Sequence, residues 1–254
     1  MAVQAVRQIN ALQILGHGRR INVERRPMGT TMSHPRQEKP LQADAPQAAA
    51  SYHHGELPET LMRLAIDHIE RDGTEKLSLR ALAREAGVSP TAPYRHFPSK
   101  QCLLAAIATQ GFHTLSAAHA EIAARQLPVE ERAVAMACAY VEFALANPVS
   151  YQLMFGTLLG DFSEFDMLYN AVNESYREVD RLLEDIVAAK QLEVDVNLLG
   201  GMLWSNVHGI SSLLIGQVPQ YDDVSKPMQA RHALANDYEG AIRLMFKSLF
   251  DLRS

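Results

Sequence analysis

Residues 79–90 read Leu79-Arg80-Ala81-Leu82-Ala83-Arg84-Glu85-Ala86-Gly87-Val88-Ser89-Pro90, and what this short segment becomes organises the rest of the chain. Ser78, just before it, offers a side-chain oxygen suited to a helix start, and Leu79, Leu82, Ala83 and Ala86 fall on one helical face. Gly87 is the residue that most easily takes the positive φ of a helix stop. Val88 completes a tight turn, and Ser89-Pro90 is a capping residue followed by proline at a first helical position. The spacing predicts a helix of about two turns, a Gly-Val-Ser turn and a third helix ending near Phe97, ahead of Pro98.

The flanks fit the same plan. Leu57, Leu61, Leu64, Ala65 and Ile69 share one face of a preceding helix, with Pro58 at its first position and Gly73 at its stop. Ser99 is placed to cap a long fourth helix carrying Leu103, Leu104, Ile107, Phe112 and Leu115. Together these segments form a helix-turn-helix unit with one helix before it and one behind. Further on, helical patterns cover 129–146, 149–159, 163–190, 194–216 and 231–252, with breaks at Leu127-Pro128 and Asn147-Pro148 and a loop over 219–227. No run alternates apolar and polar residues, so the expected fold class is all-α.

Over residues 52–100 the string Tyr52-His53-His54-Gly55, the helix of 57–73, the segment 79–90 and Tyr94-Arg95-His96-Phe97-Pro98-Ser99-Lys100 closely resembles the DNA-binding domain of TetR-type bacterial transcriptional regulators. Trp204, His208 and Gly209 resemble the Trp-His-Gly signature found in the ligand and dimer domain of one TetR subgroup. After a disordered basic tail read over 1–50 from composition and charge, the resemblance implies a DNA-binding domain over 51–100, a connecting helix over 101–120 and a helical effector-binding and dimerisation domain over 121–254. It also implies a cytoplasmic homodimeric repressor of double-stranded DNA at a palindromic operator, released by a small effector, with no cofactor and no enzymatic activity.

Physical chemistry assigns roles within that frame. Helix N-termini concentrate unpaired N–H groups and partial positive charge, so the starts of the second, third and fourth helices are natural phosphate seats. Ser89 and Pro90 open the recognition helix, and Thr91 to His96 face base edges in a major groove. Thr91 hydrogen-bonds or touches a thymine methyl, Ala92 and Pro93 offer apolar contact, and Tyr94 and His96 donate to phosphate. Pro93 costs at most one intrahelical bond, so the helix is expected to survive it. Arg80 and Lys100 read as phosphate clamps, Arg95 as a further clamp or a solvated side chain, and Tyr52 and His53 as arm contacts. Tyr94 and Phe97 have a second reading as core packing, which is favoured for Phe97. His53-His54 lacks a Cys or carboxylate at ligand spacing, so no metal is expected.

The charge distribution agrees with this division. The 254 residues carry a net charge of −5, but residues 1–50 hold +4, residues 51–120 are neutral and residues 121–254 hold −9. The tail is rich in Pro, Gln and Ala and reads as mobile, with Met28 and Met32 as alternative starts. Cys102 and Cys138 suit a reducing cytosol, and with no continuous apolar core between the arginines of the N-terminus a secretory leader is not expected. The stretch 196–221 lacks charged residues, but its polar residues favour a helix buried in a bundle or at a subunit interface over a membrane span.

In the acidic half Met136, Tyr140, Phe143, Met154, Phe155, Phe162, Phe165 and Trp204 are candidates to line an apolar effector pocket; each also reads as plain core. His208 shares a helical face with Trp204 and reads either as a buried imidazole bonded to a neighbouring carbonyl or hydroxyl, or as the polar anchor for the effector. Gly200, Gly201, Gly209 and Gly216 allow close helix approach. Ile242, Met245, Phe246, Leu249 and Phe250 form one apolar face on the last helix, expected to join the uncharged helix in a four-helix dimer interface. An enzyme using His208 with a carboxylate, and a helical interaction protein without DNA binding, are the competing readings. No nucleophile motif, metal-ligand spacing or phosphate loop supports the former.

Overall fold

The computed structural model describes residues 56–216 and 225–251, with only the backbone of residues 249 and 250. Expectations for the 1–50 tail and for Tyr52 and His53 lie outside these residues. Among the described residues the chain is helical, without strands: α1 (Leu57–Asp72), α2 (Leu79–Glu85), α3 (Lys100–Ala123), α4 (Val129–Ala146), α5 (Pro148–Phe155), α6 (Asp166–Lys190), α7 (Val196–Ile215), α8 (Lys226–Asn236) and α9 (Tyr238–Phe250), with short 3-10 turns at Thr74–Lys76, Pro93–Arg95 and Phe162–Glu164.

The stops and starts follow from local chemistry. Gly73 and Gly87 take positive φ of 82° and 69° at helix ends, where a side chain would be strained. Ser78 accepts from the Ala81 N–H at 3.2 Å, Ser99 from the Cys102 N–H at 3.1 Å and Asp195 from the Leu198 N–H at 2.9 Å, each satisfying one of the orphan donors of a first turn. At the other end of α7 the Arg231 guanidinium on α8 donates to the carbonyls of Leu213 and Leu214, both at 2.9 Å.

The expected single helix over 231–252 is two helices. The chain breaks at Asp237, whose carboxylate accepts from the Gly240 N–H at 2.8 Å and so caps α9. The pattern read over 149–159 ends earlier, at Phe155.

α1, α2 and the Pro93–Arg95 turn form the N-terminal head, whose core holds Leu57, Leu61, Leu82 and Phe97. The head meets the rest through α1, which packs on α3 and α5. α3 lies most extensively along α6 and also touches α4 and α5, while α7 lies on α4 and α6. α4 and α5 meet at a bend of 110°, produced where Pro148 starts a new helix. Surface ion pairs tie the outer helices: Arg243 to Glu131 (2.9 and 3.0 Å), Lys190 to Glu130 (2.6 Å) and Arg132 to Asp185.

α7 is long and apolar enough to cross a membrane, yet only one face of it is buried within the fold. Leu199, Val207, Ser211 and Leu214 are buried, while Leu198, Met202 and Leu213 are 65%, 56% and 52% exposed. Of its glycines, Gly200 is pressed against a neighbour, since a Cβ there would lie 2.9 Å from Leu183; Gly201 and Gly209 face open space. Of the expected apolar face on α9, Ile242 and Phe246 are buried and Met245 is half-buried, while Leu244, off that face, points out; the side chains of Leu249 and Phe250 lie outside the described residues.

Candidate nucleic-acid interface and effector cavity

In the head the expected third helix is replaced by a turn of 3-10 type at Pro93–Arg95. Pro93 has no N–H to return to the carbonyl of Ser89, so that carbonyl accepts from the Ala92 N–H at 3.0 Å instead. A three-residue spacing replaces the four-residue one until Phe97, which returns to it. His96 and Phe97 N–H then donate back to Pro93 at 3.0 and 2.8 Å, closing the segment. The expectation that the helix survives Pro93 is therefore corrected.

Ser89, Pro90, Thr91, Tyr94, Arg95 and His96 are exposed along this turn, and Ala92 is half-buried. Pro93 is fully buried, which removes it from the contact set. Tyr94 is 43% exposed and Phe97 7%, so the pair divides: the phenol is at the surface and the phenyl ring in the core. Arg80 is exposed at the first turn of α2. Lys100, at the first turn of α3, donates an ammonium N–H to the Thr74 carbonyl and so pins the turn after α1 to the start of α3. An ammonium has three donors, so two are left for another acceptor.

In the C-terminal half a cavity of about 330 Å³ opens between α3, α4, α6 and α7. Met136, Tyr140, Phe155 and Trp204 line it as expected. His208 stands behind this wall, its ring 5.3 Å from those of both Trp204 and Phe155. Phe143 lines a separate cleft of about 230 Å³ beneath α1. Met154 is fully buried against α3, and Phe162 and Phe165 flank the turn between α5 and α6, so these four leave the expected pocket set. Sequence reasoning missed Phe112, Leu115 and His119 on α3 and Tyr176, Val179, Asp180 and Leu183 on α6. The signal was present as helical spacing, i, i+3, i+7 on α3 and i, i+3, i+4, i+7 on α6, but α3 read as a connector.

One wall carries an ordered chain of donors. The Trp204 Nε1–H donates to the Tyr140 hydroxyl at 3.2 Å; the hydroxyls of Tyr140 and Tyr151 lie 3.3 Å apart; and Tyr151 lies 2.6 Å from Nδ1 of His208. Indole is a donor only, and Tyr140 receives it. The Tyr140 hydroxyl also lies 3.1 Å from Nδ1 of His208, so both phenols converge on that nitrogen. Burial lowers the His208 pKa and raises those of both tyrosines, so all three stay neutral at pH 7. Phe155 packs edge-on or tilted against Phe112, Tyr140, Tyr151 and Trp204 at 4.9–6.2 Å between ring centres.

With this geometry in hand, the chain can be set beside known proteins. Residues 61–107 match "Bacterial regulatory proteins, tetR family", and residues 133–231 match "Tetracyclin repressor-like, C-terminal domain". A protein of unknown function from Rhodococcus sp. RHA1 is 32% identical, superposes with a TM-score of 0.60, and is matched over 76% of this chain and 98% of its own. Nucleoid occlusion factor SlmA from Enterobacter sp. (strain 638) is 25% identical over 163 residues, 62% of this chain and 81% of that protein. The transcriptional regulator FadR from Bacillus subtilis, in complex with stearoyl-CoA, shares the fold at a TM-score of 0.57 and 13% identity, over 72% of this chain and 96% of its own. The chain belongs to the TetR family of DNA-binding transcription regulators. The C-terminal match includes Trp204, His208 and Gly209 without singling out the Trp-His-Gly subgroup.

Proposed function

We propose that this chain is a homodimeric cytoplasmic repressor that leaves a palindromic operator when a small, largely apolar effector fills the cavity between α3, α4, α6 and α7. The observation that carries this reading is that α3 starts at Lys100 against the head and, further along, supplies Phe112, Leu115 and His119 to the cavity. An occupant therefore touches the helix that holds the DNA-reading unit. A guest that favours one placement of α3 shifts the population of head spacings by its differential affinity for the two. FadR, with the same fold, was crystallised with stearoyl-CoA, which supports a ligand-holding C-terminal half by analogy of fold.

In this reading residues 51–100 form the head, 101–120 the connector and 121–254 the sensor, with α3 serving the last two. Ser89, Pro90, Thr91 and Ala92 meet bases, Tyr94 and His96 donate to phosphate, Arg80 and the two remaining donors of Lys100 hold the backbone, and Tyr52 and His53 add arm contacts. The enzyme reading gains nothing from the surroundings of His208, where tyrosine hydroxyls and aromatic rings face the imidazole.

The test is binding of a palindromic duplex taken from upstream of the gene. Affinity should fall steeply with salt, and Arg80→Ala should lower it across sequences while reducing the salt slope by about 1, as removal of one phosphate contact does. Failure to bind any specific duplex at moderate salt would sink the proposal.

A further inference from the structure

The cavity contains one polar group that the fold leaves unanswered. His119 on α3 is 4% exposed; neither ring nitrogen makes a hydrogen bond of good geometry, although the Met136 backbone carbonyl is close enough to favour its charged form. Buried polar groups are almost always paired, because an unpaired one keeps its full desolvation cost. Of the other polar groups of the lining, the Ser175 hydroxyl donates to the Val172 carbonyl at 2.7 Å, Trp204 and Tyr140 belong to the chain of donors ending at His208, and Tyr176, Asp180 and Asn197 are exposed. The floor of the cavity near His119 is otherwise apolar, with Phe112, Leu115 and Met136 all buried.

The lining also has a sign. It includes no Lys or Arg, and its one carboxylate is Asp180. Glu178 is also close enough to act on His119. An anionic head group would thus be taken from water to meet a carboxylate and a neutral imidazole, with no cation to repay it. A neutral imidazole donates from one nitrogen and accepts at the other, which is what a hydroxyl needs. Scaled from a 150 Å³ cavity that holds benzene, this volume suits about thirteen non-hydrogen atoms.

We infer that the effector is an uncharged hydroxylated hydrocarbon, a phenol or alcohol, whose hydroxyl is held by His119 while its apolar body lies between Phe155, Met136 and Trp204. The inference rests on the effector reading above and narrows it to a class that excludes carboxylates. His119 lies nineteen residues beyond Lys100 on the same helix, a span of about 28 Å at 1.5 Å per residue, so the hydroxyl is gripped by the element that reaches the head.

Trp204 is the only tryptophan in the chain and lines the cavity, so its fluorescence reports occupancy. The intact protein would be titrated at pH 7.5 with 4-hexylphenol, hexylbenzene and 4-pentylbenzoate, probes of similar bulk. The phenol is expected to bind about ten-fold more tightly than the hydrocarbon, the worth of one well-made hydrogen bond, and more tightly than the benzoate. In His119→Leu the hydrocarbon should bind as well as before and the preference for the phenol should vanish; His119→Gln, which keeps a donor and an acceptor, should restore part of it. Tighter binding of the benzoate, a phenol preference unchanged in His119→Leu, or no response to any probe would each overturn the inference. The wild-type comparison stands even if a variant fails to fold. No DNA enters these titrations, so failure of the repressor reading would show in duplex binding and leave this result untouched.

Discussion

His119 and His208 sit in one half of the molecule and behave differently. His208 has its Nδ1 within 2.6 Å of the Tyr151 hydroxyl, whereas His119 makes no well-formed hydrogen bond, and burial pushes its pKa down to about 4 against the weaker opposing effects of the Met136 backbone and Glu178. The folded value lies below the unfolded value of about 6.5, so between those limits the unfolded chain binds more protons. Stability is undiminished above pH 6.5 and is lost as pH falls from there towards 4. The full shift corresponds to about 3 kcal/mol. Denaturant midpoints at pH 7, 5.5 and 4.5 should drop markedly in the wild type and much less in His119→Leu; parallel losses would show that other groups control the acid limb. Single-residue signals were unevenly legible. Ser78, Gly87 and Ser99 announce their roles because caps and positive φ are local chemistry. His119 does not, since its isolation depends on what four helices fail to offer it.

At the scale of elements, α5 has the densest set of duties. Tyr151 and Phe155 belong to the aromatic wall, and the helix also packs on α1 and α3. Met154 is fully buried over Gly111 of α3, where an added Cβ would lie 2.5 Å from its sulfur. Gly111→Ala gains about 0.5–1 kcal/mol of helix preference but overpacks a sealed contact, which costs about 1–3 kcal/mol. Overpacking should win, lowering the thermal midpoint by several degrees; a variant as stable as the wild type would mean that Met154 has room to move. Most helix boundaries were readable from apolar period and caps. The element that was not is the Pro93–Arg95 turn, because counting one lost bond ignores that the orphaned Ser89 carbonyl is taken by Ala92 and resets the spacing. The break at Asp237 was missed for a similar reason: a capping side chain in mid-pattern outweighs a continuous apolar face.

For the whole molecule the unspent surface is on α7. Leu198, Met202 and Leu213 are exposed along a helix of 20 residues that carries no charge, with Gly201 and Gly209 open between them. Several large apolar side chains exposed along one uncharged helix suit a surface that meets another protein. In the expected four-helix arrangement α9 keeps Ile242 and Phe246 inside its own chain and offers Leu244. α7 is therefore the main surface for the proposed twofold contact, which would set two heads about 34–36 Å apart, one turn of DNA. The double variant Met202→Glu with Leu213→Glu places two carboxylates on each copy of a self-facing surface. It should sediment as a monomer, keep its helical circular dichroism, and bind the palindromic duplex at least about 100-fold more weakly, because the second half-site loses its effective concentration. Binding of an isolated half-site should change little, since the head is untouched. A variant that remains dimeric would move the contact elsewhere. A monomer that still binds the full operator as tightly as the wild type would remove the link between α7 and DNA reading altogether.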